Sequence, residues 1–200
     1  MNDQRVLDWS EATWLNPPLR TESDGRDLVV TTRDRSDFWR TTHYGFERDN
    51  GHALLTGLAV GTAVEVTFRA RLDQPYDQAG AMVRVDEQNW IKTGVELTDG
   101  LPHLGAVVTR GHSDWSLAPV PEWADRPVTV RVSRGRDAVT IRARCGSEPW
   151  RTVRLAPLAG HLTASAGPYC CSPEREGLRV QFSQFTVGPA DRALHARLAG

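Results

Sequence analysis

An all-β fold built as a two-sheet antiparallel sandwich is what this 200-residue sequence predicts, on three observations. Apolar and polar residues alternate cleanly in Val64-Glu65-Val66-Thr67-Phe68-Arg69, Val128-Thr129-Val130-Arg131-Val132, Val139-Thr140-Ile141-Arg142-Ala143 and Leu178-Arg179-Val180-Gln181-Phe182, the signature of half-buried strands. Gly, Pro, Asp and Asn punctuate these runs at short intervals. Helical spacing is confined to the end, Asp191 to Leu198, where Leu194 and Leu198 lie four apart, so 191–200 reads as a short helix or a tail. Strands are expected near 28–32, 37–41, 54–59, 63–70, 79–86, 90–97, 103–109, 113–118, 128–133, 138–144, 151–155, 162–169 and 178–187. No composition break divides the chain, and residues 1–200 are expected to form a single sandwich domain.

Composition narrows the function. The formal net charge is -1 with both signs interspersed, so neither nucleic acid nor an anionic membrane is an expected partner. The N-terminus lacks the basic-then-apolar pattern of a signal peptide, and no apolar run is long enough to span a bilayer. The three cysteines, Cys145, Cys170 and Cys171, are odd in number and two are adjacent, unlike a secreted disulfide framework. A cytoplasmic protein is expected. If Cys170 and Cys171 lie on one strand they face opposite ways, which places at most one in the core. Of the 24 basic residues, Lys92 is the single lysine. A lysine kept where every other cation is arginine marks a position that suits a compact ammonium and not a planar guanidinium.

The segment 79–97 allows its faces to be assigned. Ala79, Ala81, Val83 and Val85 form one apolar set and Ile91, Thr93 and Val95 another. Facing residues of a hairpin share a side of the sheet. A three-residue loop, Glu87-Gln88-Asn89, therefore pairs Val85 with Ile91 and puts Lys92 near Arg84 and Glu96 near Gly80. The polar face then carries Gln78, Arg84, Trp90, Lys92 and Glu96, with Gly80 and Gly94 leaving a depression.

Asp37-Phe38-Trp39-Arg40-Thr41 with Tyr44-Gly45-Phe46, Tyr76-Asp77-Gln78-Ala79-Gly80, Trp90-Ile91-Lys92-Thr93-Gly94-Val95-Glu96, Ser113-Asp114-Trp115-Ser116, and Gly167-Pro168 with Cys171-Ser172-Pro173 occur in order over about 15–190. These motifs resemble a family of unknown function in the concanavalin A-like lectin/glucanase superfamily, whose fungal member is called regulation of enolase protein. The resemblance implies a concanavalin A-like jelly roll and no settled activity. The Gln-Ala-Gly strand followed by Asn-Trp-Ile-Lys is also similar to the accessory sandwich domain of some β-xylosidases, which shapes a neighbouring active site and supplies no catalytic carboxylate.

Sugars are recognised by aromatic faces for their C–H surfaces and by carboxylate, amide and cationic groups for their hydroxyls. Trp39, Tyr44, Trp90 and Trp115 are accordingly candidate stacking or wall residues. Asp37, Asp77, Gln78, Lys92, Glu96 and Asp114 are candidates for hydrogen bonding and charge pairing. Trp9, Trp14, Trp123 and Trp150 are assigned to packing. The function expected is a binding module for a carbohydrate or similar small polar ligand, with a regulatory role. One alternative is a glycosidase using Glu96 with Asp114 or Asp77, a pair that must straddle the bond. Against it, the superfamily's Glu-x-Asp-x-x-Glu strand is missing, and Lys92 is expected to keep Glu96 ionised. The other alternative is a protein-interaction or regulatory module of central metabolism, with a protein partner or a homodimer. No cofactor is expected; His112 and Asp114 could share a face, but two ligands do not make a metal site, and Asp86-Glu87 lacks calcium-loop spacing.

Overall fold

A computed structural model of the chain describes residues 4–194. Its strands are β1 (Arg5–Val6), β2 (Thr13–Leu15), β3 (Arg20–Ser23), β4 (Leu28–Thr31), β5 (Phe38–Arg40), β6 (Glu47–Asp49), β7 (His52–Gly57), β8 (Thr62–Ala70), β9 (Gln78–Arg84), β10 (Asn89–Thr98), β11 (Leu101–Arg110), β12 (His112–Pro119), β13 (Val128–Arg134), β14 (Ala138–Cys145), β15 (Arg151–Pro157), β16 (Ser165–Cys171) and β17 (Arg179–Pro189). One sheet runs β15-β14-β13-β8-β17-β4-β3, with β1 added to β17. The other runs β12-β11-β10-β9-β16-β7-β2. All ladders are antiparallel, and the two sheets form the expected sandwich. No helix among the described residues is long and apolar enough to cross a membrane.

Every expected strand is present. The four that the sequence reading omits are the short β1, β2, β3 and β6. Arg20–Ser23 and Glu47–Asp49 carry no apolar alternation, because they lie at a sheet edge and in a surface ribbon. The helix-or-tail segment lies mostly outside the described residues. Asp191, which is described, lies outside any helix or strand and pairs with Arg131 and Arg142.

The main core fills the space between the sheets. Val64, Val66, Phe68, Val130, Val132, Ile141, Phe182 and Phe185 from the first sheet meet Ala79, Ala81, Val83, Ile91 and Val95 from the second. Strict alternation along β17 would turn Phe185 outward. A register shift between Phe182 and Gln184 resets the pleat, so that both phenylalanines face the core. Of the tryptophans assigned to packing, Trp123 is buried and Trp9 and Trp14 pack on the core's margin, whereas Trp150 lies outside it beneath Arg144.

The second sheet is buried on both faces. The ribbon β5–β6 folds over its outer side and creates a second cluster of Phe38, Trp39, Ala53, Met82, Trp90, Val107, Tyr169 and Cys171. This corrects the expectation that at most one of the adjacent cysteines is core: Cys170 is in the main core and Cys171 is under the ribbon. Gly51 starts the return from β6. A Cβ there would lie 2.4 Å from the Phe38 ring and 2.5 Å from Cys171 Sγ.

The β9–β10 register also differs from expectation by two residues. Lys92 faces Met82, Glu96 faces Gln78 and Gly94 faces Gly80. Odd residues still pair with odd, so the faces stand. The loop is longer because Asp86 Oδ1 accepts from the backbone N–H of Gln88 and of Asn89, both at 2.8 Å, and closes a turn of its own. The facing glycines serve backbone approach. A Cβ on Gly80 would stand 2.0 Å from the Thr93 carbonyl oxygen, and one on Gly94 2.1 Å from that of Ala79. Gly80→Ala and Gly94→Ala are each expected to cost about 1–3 kcal/mol in urea unfolding. Gly57→Ala, whose new Cβ meets nothing within 4 Å, is the control expected to stay within about 0.5 kcal/mol. Equal effects at all three positions would refute the close-approach reading.

Candidate functional site

Strand alternation aims Gln78, Met82, Lys92 and Glu96 at the outer side of the second sheet, where the β5–β6 ribbon covers them in part. Lys92 is 3% exposed and Asp37, at the ribbon's entry, 7%. Lys92 Nζ donates to Asp37 Oδ1 at 2.9 Å. The same oxygen accepts from Phe38 N at 2.8 Å, which leaves Oδ2 without a hydrogen-bond partner among the described residues. Asp37 is fixed in turn by the backbone, with its N–H donating to Asn50 Oδ1 and its carbonyl accepting from Asn50 and Gly51. Burial works against a charged Lys92, but the attraction of its buried acidic surroundings, Asp37 foremost, outweighs it and raises the pKa above the ordinary lysine value. The ammonium keeps its charge, with two of its three donors unspent on the described protein.

Glu96 behaves otherwise. Burial is the dominant influence and carries its pKa from 4.5 to about 7, against the opposing effects of Lys92 and of the Thr98 hydroxyl, which donates to Oε1 at 2.9 Å. The expectation that Lys92 keeps Glu96 ionised is therefore corrected. Lys92 is neutralised by Asp37, and the desolvated second carboxyl holds a proton for half the molecules near neutrality. Gln78 lies beside it, its Nε2 donating to the Tyr76 carbonyl at 3.0 Å and its Oε1 3.4 Å from the Tyr169 hydroxyl. Burial keeps both Tyr169 and Cys171 protonated by pushing their pKa values well upward.

Above this polar floor stands an aromatic rim. The β5–β6 loop passes through left-handed conformations at Thr41, His43 and Gly45 and turns Tyr44 and Phe46 over the cleft. Trp39 is held by its indole N–H to the Thr42 carbonyl at 3.0 Å. It meets Tyr44 and Trp115 edge to face, at centroid distances of 5.5 and 6.0 Å. Tyr44 stacks on Phe46 at 5.6 Å. Tyr76 closes the other side with φ +65°, a conformation costly for a bulky side chain. Its N–H to the Leu97 carbonyl at 2.7 Å pins it there. The floor and rim enclose a cleft of about 200 Å³.

Seven of the ten expected site residues line this cleft: Asp37, Trp39, Tyr44, Gln78, Lys92, Glu96 and Trp115. Three do not. Asp77 is fully buried, takes both Asp73 N and Gln74 N, and is gripped by Arg175 at 2.6 and 3.2 Å; it supports the loop that carries Tyr76. Asp114 precedes the cleft residue Trp115 and so faces the opposite side of β12, where Arg154 of the other sheet holds it at 2.6 Å. Trp90 is sealed beneath the ribbon against Phe38. Neither Asp77 nor Asp114 thus joins Glu96 in the cleft. The sequence reading also missed Phe46, Arg48, Tyr76, Pro173 and Glu174. Phe46, Tyr76 and Pro173 lie within the quoted motifs, but nothing in the sequence marks Arg48, which enters the site as the cross-strand partner of Trp39.

Comparison with known proteins agrees with this architecture. Residues 14–190 match the protein family described as "Protein of unknown function (DUF1349)". The chain is 38% identical over 198 residues to Regulation of enolase protein 1 of Saccharomyces cerevisiae, covering 98% of each chain. The crystal structure of a functionally unknown protein from Saccharomyces cerevisiae superposes with a TM-score of 0.86 at 36% identity, over 92% of this chain and 98% of that one. A xylan β-1,4-xylosidase from Bacillus halodurans shares the fold, with a TM-score of 0.69 at 13% identity. The match spans 94% of this chain and 39% of that enzyme.

The titration of Glu96 has a definite sign. Its folded pKa lies above the unfolded one, so between pH 4.5 and 7 the folded state holds a proton that the unfolded state has lost. The stabilising contribution is complete below about 4.5 and is lost as pH rises through 7; it amounts to at most about 3 kcal/mol. Glu96→Gln should flatten the stability profile between pH 5 and 8 and make the protein about 1–3 kcal/mol more stable than wild type at pH 8. Urea unfolding at both pH values checks this, and an unchanged slope would assign the proton elsewhere.

Proposed function

We propose that this protein, which belongs to the DUF1349 family of unknown function, is a binding module for a carbohydrate or similar small polar ligand held in the cleft over Lys92. The observation that carries the reading is a buried ammonium with two unspent donors beneath an aromatic rim. Burying a charge with donors left over is costly unless something completes the set. Asp37, the Glu96 carboxyl and Gln78 line the same cleft with polar groups, while Trp39, Tyr44 and Trp115 offer apolar faces and edges.

Binding is favoured over hydrolysis because the other carboxylates of the quoted motifs are engaged, and Glu174, which also lines the cleft, is solvent-exposed on its loop and not held opposite Glu96 by any contact among the described residues. Asp77 and Asp114 are engaged elsewhere, and Asp37 is committed to Lys92. A hydrolase needs a second carboxyl across the bond. The yeast relative's name supports a regulatory role, exercised through the ligand-bound form. Three free, buried thiols suit a reducing cytoplasm.

Lys92→Arg tests the site. The guanidinium preserves the charge opposite Asp37 but not the compact shape. A titration of neutral monosaccharides and small polar metabolites against wild type should identify a ligand. The variant should bind that ligand at least tenfold more weakly while still unfolding cooperatively in urea. Unchanged binding together with unchanged stability would remove the argument from the lone lysine.

A further inference from the structure

Arg48 brings to the cleft a cation with no carboxylate partner among the described residues. It lies on β6 opposite Trp39, is half-buried, and lines the wall. Its guanidinium carbon sits 4.7 Å from the Phe46 ring centroid. That cation–π contact spends none of its N–H donors on a hydrogen-bond acceptor among the described residues. Its neighbour across the same ribbon, Arg40, is spent on Glu47 at 3.0 Å and on the Gly111 carbonyl at 3.1 Å. A fixed, unspent guanidinium fork is shaped for a carboxylate or phosphate.

The other charges around the cleft permit an anion there. Asp37 is cancelled by Lys92. Glu96, which faces Gln78 and His103 across its ladders and has Lys92 and Thr98 beside it, accepts a proton at neutral pH more readily than an ordinary carboxyl. Glu174 opposes an anion, but it is exposed on the loop after Pro173, where water and salt screen it. What remains in the less exposed wall is positive.

From this geometry we infer that the ligand is an anionic polyol, a sugar acid or a sugar phosphate, with its charged group on Arg48 and its hydroxyls on the Lys92–Glu96–Gln78 floor. The inference rests on the carbohydrate reading and deepens it.

Calorimetric titration of wild type and Arg48→Gln at pH 7 and low salt separates the cases. The probes are D-glucose, D-glucuronate, D-gluconate, D-glucose 6-phosphate and inorganic phosphate. At least one anionic sugar should bind wild type tenfold or more tightly than glucose, and that advantage should disappear in Arg48→Gln and shrink in high salt. Whether the acids or the phosphate ester binds tighter tells which anion the fork accepts. The inference is overturned if glucose binds as well as every anionic sugar, if the preference survives in Arg48→Gln, or if inorganic phosphate matches the sugar phosphate. In the first of these outcomes the neutral carbohydrate reading stands. If no sugar binds at all to a wild type that unfolds cooperatively, both fall. Urea unfolding of Arg48→Gln confirms that any loss is not one of folding.

Discussion

The ion pair between Lys92 and Asp37 joins the outer face of one sheet to the ribbon that covers it, and the architecture of that side depends on it. Each charge loses several kcal/mol of solvation on burial. The pair is sustained by a 2.9 Å contact and by the Phe38 amide on the same carboxylate oxygen. Other polar ties act in the same direction. Arg84 grips Asp49 of the ribbon with two contacts of 2.5 and 2.8 Å, and Arg40 N donates to Ser113 Oγ at 3.0 Å. With the ribbon seated, Phe38, Trp39, Met82, Trp90 and Tyr169 bury one another and a sheet face that would otherwise be wet becomes a second core. The cleft is the part of that face the ribbon leaves uncovered.

Support and recognition are divided among residues of like chemistry. Asp37 and Asp77 are both buried aspartates in the quoted motifs, yet one lines the cleft with an oxygen that has no hydrogen-bond partner among the described residues and the other is saturated by Arg175 and two backbone amides. Trp39 and Trp90 are both buried indoles, yet one reaches the wall and the other is packing. The division follows from which side of the strand each residue occupies and from what covers that side, not from residue type.

Periodicity made the strands and the separation of faces legible in the sequence. Lys92, Glu96 and Gln78 share a side because even positions do, whatever the register. The register itself depended on a turn closed by Asp86, a local side-chain effect that alternation does not report. Alternation could have separated Asp114 from Trp115, since neighbours in a strand face opposite ways; grouping them by motif obscured that, whereas Asp77 lies in the loop before β9, where alternation does not reach. The β5–β6 ribbon was unreadable because Glu47–Asp49 has no apolar member. Without it neither Arg48 nor the burial of the outer face could be anticipated, and burial is what moved Glu96 from an ionised carboxylate to one that titrates near neutrality.

The sole lysine of the chain is also one of its most enclosed side chains. Lysine acetylation, lysine methylation and side-chain ubiquitin conjugation need a lysine amine that an enzyme can reach, and the folded surface, built with arginine, offers no lysine side chain. A lysine mark can be written only on a molecule that has lifted its ribbon or unfolded. Modification of the lysine side chain then depends on the opening equilibrium and not on the folded surface.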